Sequence, residues 1–206
     1  MIPPAPWHLT GRGLIIGVRL EDHQVPAVRR ERWLPGPGAV MLVDYRHSDA
    51  GPYRELLCIP GLYRTPHGLR PHIPVITVSH ALSARGGQQH WGLPKTVSDF
   101  RVEREGDLEA WTVTQGGAEV LRLLRRAGGP AFALPLGLLP AALRTLWQPT
   151  ADGARLTTPG GYGWVRPARL EAVRVNGSLF PDFSGSVLGA LEVTHFRLTF
   201  PRARLS

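Results

Sequence analysis

Lysine is all but missing from this chain. Of its 24 Lys and Arg residues, 23 are Arg and only Lys95 is a lysine, although lysine is among the commonest residues of soluble proteins. Cysteine is nearly as scarce. Cys58 stands alone, so no intrachain disulfide can form; a disulfide-stapled scaffold is excluded, and a cytoplasmic location is the expectation. Between Leu57 and Ile59 the thiol reads as a small buried hydrophobe. Long apolar runs are absent as well. The most apolar stretch, residues 131–143, is interrupted by Pro135 and Pro140 and is too short to span a bilayer. The opening Met1-Ile2-Pro3-Pro4-Ala5-Pro6 lacks the basic and apolar regions of a signal peptide. No membrane association is expected.

Several chemistries are also missing. The eight histidines form no HExxH pair and no paired Cys/His spacing, and no G-x-S-x-G element is present. Gly87 and Gly92 have the spacing of a phosphate loop, but Lys95 comes two residues late and Pro94 has no amide hydrogen to offer a phosphate. No metal and no cofactor are expected.

What is there is a globular composition, 43% hydrophobic and 19% charged. A chain of 206 residues can bury one substantial core, and residues 1–206 read as a single domain. The net charge is +8, yet the arginines are scattered, clustering only at residues 29–32 and 122–126 and without a nucleic-acid-binding pattern. Nucleic acid is therefore not the expected partner, and the basic field suits anionic carboxylate substrates.

Short runs rich in Val, Ile, Leu and aromatics, separated by Gly and Pro, predict strands over 13–20, 39–45, 53–59, 73–78, 102–105, 108–114 and 118–124. Others are expected near 132–134, 143–147, 154–158, 170–175 and 192–200. Residues 22–38 and 60–71 read as connections, and 81–90 as a short helix that Gly86-Gly87 weakens. This is a mainly β chain with few short helices, and an antiparallel β-barrel enclosing a ligand-sized cavity is the expected architecture.

Against this background the segment Trp91-Gly92-Leu93-Pro94-Lys95 stands out. A guanidinium cannot lose its proton in a protein, whereas a desolvated amine can, and the neutral amine is a nucleophile toward carbonyl carbon. Trp91, Leu93, Val97 and Phe100 offer desolvating walls. A solvated surface lysine is the other reading of the same residue. In the strand 53–59, alternation puts Tyr53, Glu55 and Leu57 on one face. A carboxyl on that face can serve as a general acid and base if the face lines a cavity, and otherwise it is an edge glutamate turned to water.

Three segments, in this order, carry a resemblance: Trp7-His8-Leu9-Thr10-Gly11-Arg12-Gly13; Val40 to Tyr45 followed by Ser48 to Leu56; and the Gly-rich stretch ending Trp91 to Lys95. In them the chain resembles the acetoacetate decarboxylase family. The resemblance implies that Lys95 forms a Schiff base, activated as is known of the family by burial or a neighbouring cation. It also implies that Glu55 assists proton transfer and that Arg12 holds the substrate carboxylate, with Trp91 and Tyr53 lining the substrate site. A homo-oligomer acting on a small oxo acid is implied as well. Two positions depart from the family pattern: the second lysine is replaced by Thr96, and a pocket glutamate by Val40. The readings that follow are a decarboxylase-like carbon-carbon lyase, a Schiff-base aldolase or dehydratase, and a non-catalytic barrel binding small ligands.

Overall fold

A computed structural model describes residues 1–206. Its strands are β1 (Trp7–Val18), β2 (Trp33–Leu34), β3 (Gly38–His47), β4 (Tyr53–Ile59), β5 (Leu62–Thr65), β6 (Gly68–Pro71) and β7 (Val75–Val78). Helix α1 (Ala81–Trp91) leads to β8 (Lys95–Val97), β9 (Asp99–Glu105), β10 (Leu108–Gln115), β11 (Ala118–Ala127) and β12 (Phe132–Pro135). The chain closes with α2 (Ala141–Arg144), β13 (Leu146–Thr150), β14 (Gly153–Thr157), β15 (Gly160–Val175), β16 (Val187–Phe200) and β17 (Arg204–Leu205).

One sheet dominates, with strand order β8-β7-β4-β3-β1-β16-β15-β11-β10-β9. All its pairs are antiparallel except β7 with β8. The two ends of this path, β8 and β9, are joined in sequence through Ser98, so the sheet must curl until its edges meet. Side chains from distant parts of the path share one core as a result: Leu14, Leu42 and Leu56 pack in the same cluster as Trp111, Leu121 and Leu123. The expected β-barrel is what forms.

The other face of the β1-β3-β4-β7 wall carries a second core containing Trp7, Leu9, Tyr45, Leu57, Ile76 and Trp91. The period-2 alternation of a strand makes this division. In β1, Trp7 and Leu9 serve the outer core while Leu14, Ile16 and Val18 serve the inner one.

Several boundaries differ from the sequence expectations. The first strand begins at Trp7, not Gly13, so Arg12 lies inside it. Residues 60–71, expected as a loop, contain the hairpin β5–β6, which turns through Pro66 and His67 and enters β6 at Gly68 with φ near 85°. The strand expected at 143–147 starts at Leu146, because residues 141–144 form α2. Alternation between half-buried and exposed faces is weak in both places, and tertiary pairing decides them.

Candidate active site

Lys95 is placed by the end of α1. The helix stops at Gly92, whose φ of 66° is the left-handed conformation that glycine adopts without a Cβ penalty. The Gly92 and Leu93 amides donate back to the carbonyls of Gln88 and Gly87 at 3.1 Å, satisfying the helix end. Pro94 cannot prolong a helix, and the reversed chain lays the Lys95 stem back along α1. A Cβ on Gly87 would lie 2.5 Å from Lys95 Cδ and 2.8 Å from Cε, and one on Gly86 would strike the Trp7 indole at 2.5 Å. The Gly-Gly pair that weakens the helix is what allows it to pack on the lysine and on β1.

Register brings the other groups to Lys95. Tyr45 of β3 stands opposite Tyr53 of β4, Glu55 opposite Val78 of β7, and Ile76 opposite Lys95 of β8. Lys95 is 5% and Glu55 3% exposed, so both charges are withdrawn from water. Lys95 Nζ donates to Glu55 Oε2 at 2.7 Å and to Ser83 Oγ at 3.3 Å, and lies 5.2 Å from the Tyr53 ring centroid. The Tyr45 hydroxyl donates to Glu55 Oε1 at 3.0 Å. Glu55 thus joins a tyrosine and the lysine into one buried chain of proton-bearing groups.

Burial by itself would lower the Lys95 pKa, but the charge of Glu55, with Tyr53 and the hydrogen bonds, outweighs it and holds the pKa above its ordinary value. The resting amine is an ammonium paired with Glu55, and not the free base expected from desolvation alone. Burial pushes the Tyr53 phenol up to about 12 and holds the Tyr45 phenol well above its ordinary value, so both remain protonated donors.

These groups lie on a cavity of about 310 Å³. Tyr45, Tyr53, Glu55, Trp91 and Lys95 all line it. Trp91 is fixed by its indole N–H, which donates to the Pro201 carbonyl at 2.7 Å, and by edge contacts with Trp7 and Phe200. Arg12 is not among the lining residues. It belongs to the inner face, where it pairs with Asp44 at 3.2 Å and with Glu109. Besides Lys95, the basic side chains on the cavity are Arg144 and Arg197.

Tyr45, Ser83, Arg144 and Arg197 are not singled out by the sequence alone. For Ser83 the available signal was its spacing of four from Gly87, which puts both on one helix face. Of the two departures, Thr96 is exposed beside the buried Lys95, and Val40 packs in the inner core.

A family model described as acetoacetate decarboxylase (ADC) matches residues 29–136. No curated protein matches the chain. Among solved structures, acetoacetate decarboxylase from Legionella pneumophila subsp. pneumophila str. Philadelphia 1 aligns with a TM-score of 0.71 at 14% identity, over 99% of this chain and 88% of that one. The enduracididine biosynthesis enzyme MppR, in complex with pyruvate, aligns at 0.67 and 17%, over 100% and 91%. An acetoacetate decarboxylase-like enzyme from Sphingomonas wittichii RW1 aligns at 0.66 and 13%, over 100% and 94%. At these identities the alignments establish the fold.

Proposed function

The chain belongs to the acetoacetate decarboxylase family, and from that premise we propose that it is a carbon-carbon lyase that binds an oxo acid as an imine on Lys95. The observation that carries this reading is the single lysine of the chain, buried 2.7 Å from a buried carboxylate on the wall of an apolar cavity.

The resting ammonium must first lose a proton, and Glu55 is placed to take it. In water the ion pair is strongly favoured. In a buried site both charges are penalised by desolvation, so the uncharged amine and carboxylic acid become accessible as a pair. Ser83 lies in the first turn of α1, and the positive end of that helix also opposes the ammonium.

The neutral amine then attacks the carbonyl carbon. Glu55 returns the proton to the oxygen and then carries one proton from the attached nitrogen to the same oxygen, which leaves as water, and a protonated imine remains. In a 3-oxo acid the bond from C2 to the carboxylate breaks, its electron pair enters the iminium, and carbon dioxide departs. The resulting enamine is protonated at carbon and water hydrolyses the imine, freeing Lys95. The apolar walls favour this step because the carboxylate charge disappears in it. Arg144 and Arg197 take the carboxylate-steering role that the sequence reading gave to Arg12.

If the imine instead loses an α-proton to Glu55 and keeps its carboxylate, the enamine so formed can attack an aldehyde, which is aldolase chemistry. The absence of a cation at position 96, where Thr96 stands, keeps this second reading in play. Product analysis separates the two, since only the first releases carbon dioxide. A homo-oligomer in a reducing cytoplasm completes the reading.

The test is borohydride reduction in the presence of acetoacetate or pyruvate, read by peptide mass. An adduct on Lys95 that is lost in Lys95→Arg supports the reading, because Arg keeps the cation without the nucleophile. No adduct with any oxo acid would overturn it and leave a ligand-binding barrel.

A further inference from the structure

The cavity is far larger than a small oxo acid needs. A cavity of about 150 Å³ lined by aliphatic side chains takes up benzene, with its six heavy atoms, so the roughly twofold larger 310 Å³ suits about twelve. The head of a 3-oxo acid, from carboxylate to carbonyl, accounts for about six of these.

The lining is divided. Lys95, Glu55, Tyr45 and Tyr53 gather the proton-bearing groups around the amine, whereas Met41, Leu57, Ile59 and Ile73 on the barrel side carry nothing to hydrogen-bond. The rest of the wall is formed by β15 and β16, which contribute Tyr162 and Arg197, and by the stretch from β12 to α2, which ends in Arg144. Leu134, Leu136, Leu139 and Leu143 of this stretch line the cavity, and Leu139 and Leu143 are still 44% and 47% exposed. A small acid seated at Lys95 would leave this part of the cavity without a partner. Water gains little there, since an ordered water needs two to four polar partners.

We propose that the physiological substrate is an oxo acid whose reactive head is followed by an apolar chain or ring of about six carbons, bound between the barrel wall and the leucines of residues 134–143. This assignment of substrate class rests on the imine reading above. It makes those leucines specificity determinants: they bind the part of the substrate that does not react, and that binding distinguishes the substrate from acetoacetate and pyruvate.

The test is a series of straight-chain 3-oxo acids from acetoacetate upward, with Lys95 adducts trapped by borohydride and counted by mass. Each buried methylene is worth about fourfold in affinity. The half-saturating concentration is expected to fall by that factor per added carbon for about six carbons and then to level. A 3-oxo dicarboxylic acid of equal length, which ends in a charge, gains nothing. Saturated carboxylic acids of the same lengths, which cannot form an imine, are measured in parallel by the shift in melting temperature.

Adducts that form equally well at every length, or equally well with the charged tail, overturn the apolar chain and leave the imine reading intact. No adduct with any oxo acid, together with stabilisation that grows with the length of the saturated acids, overturns the imine and supports the apolar site. Neither adduct nor stabilisation overturns both.

Discussion

Lys95 and Glu55 stabilise the fold only as a pair. Each is buried, and removing one leaves the other as an uncompensated charge, a loss on the order of 3–5 kcal/mol. Lys95→Met is therefore expected to destabilise strongly, and adding Glu55→Gln is expected to restore much of the loss, as read by denaturant midpoints of the singles and the double. Gly87 gives a more selective probe. Alanine there gains about 1 kcal/mol of helix propensity, but its Cβ meets the stem of a buried lysine, and such overpacking costs about 1–3 kcal/mol. Gly87→Ala is expected to be destabilising by no more than about 2 kcal/mol while imine trapping slows at least tenfold, about 1.4 kcal/mol of added barrier from a displaced Lys95 amine. Normal trapping in Gly87→Ala would show that the packing of α1 does not position the amine.

At the scale of elements, the sequence is most legible where short apolar runs are bounded by Gly and Pro. The strands 39–45, 53–59, 108–114 and 118–124 lie within β3, β4, β10 and β11, and the face assigned to Tyr53, Glu55 and Leu57 is the face that lines the cavity. Lys95 was legible for a different reason, its rarity. Arg12 is the exception. The sequence places its segment ahead of a strand, whereas β1 already runs from Trp7, and alternation along it turns Arg12 to the inner face with Glu109 and Asp44. Long-range register was not legible at all. Glu109, 2% exposed, is held by Arg125 at 2.8 Å, Arg104 at 2.8 Å and the Trp111 indole at 2.8 Å, as well as by Arg12. Arg125 also bonds Glu192 at 3.0 Å, tying β10 and β11 to β16 across the barrel. Arg125→Leu would leave both carboxylates short of a partner, and a loss on the order of 3–5 kcal/mol in urea unfolding is expected. A loss below about 1 kcal/mol would mean that the remaining arginines suffice.

For the whole molecule these buried groups set the response to acid. His72 is 3% exposed; its Nδ1 faces the Trp147 carbonyl at 3.1 Å, and burial pushes its pKa down to about 4. From its ordinary 6.5 down to about 4, the unfolded chain binds a proton that the fold refuses, so stability falls with pH by about 3 kcal/mol. Glu109 acts lower in the scale. Although burial opposes it, the hydrogen bonds from Arg12, Trp111 and Arg125 hold its pKa near 2, against an ordinary 4.5. Its contribution is complete above 4.5 and is lost as pH falls toward 2, again about 3 kcal/mol. Melting temperature is therefore expected to decline in two stages below neutrality, and His72→Asn is expected to remove the first stage alone. A flat profile from pH 7 to 4 would contradict the burial of a neutral imidazole.

The presence of one lysine permits a direct look at the chemistry. In protein labelled with 15N at the lysine side chain, Lys95 gives the only Nζ signal. The account predicts an ammonium signal at neutral pH without ligand, converted to that of a protonated imine when an oxo acid is added and unchanged with a saturated acid of the same length. A signal that stays that of an ammonium in saturating oxo acid would contradict imine formation and, with it, the proposed lyase.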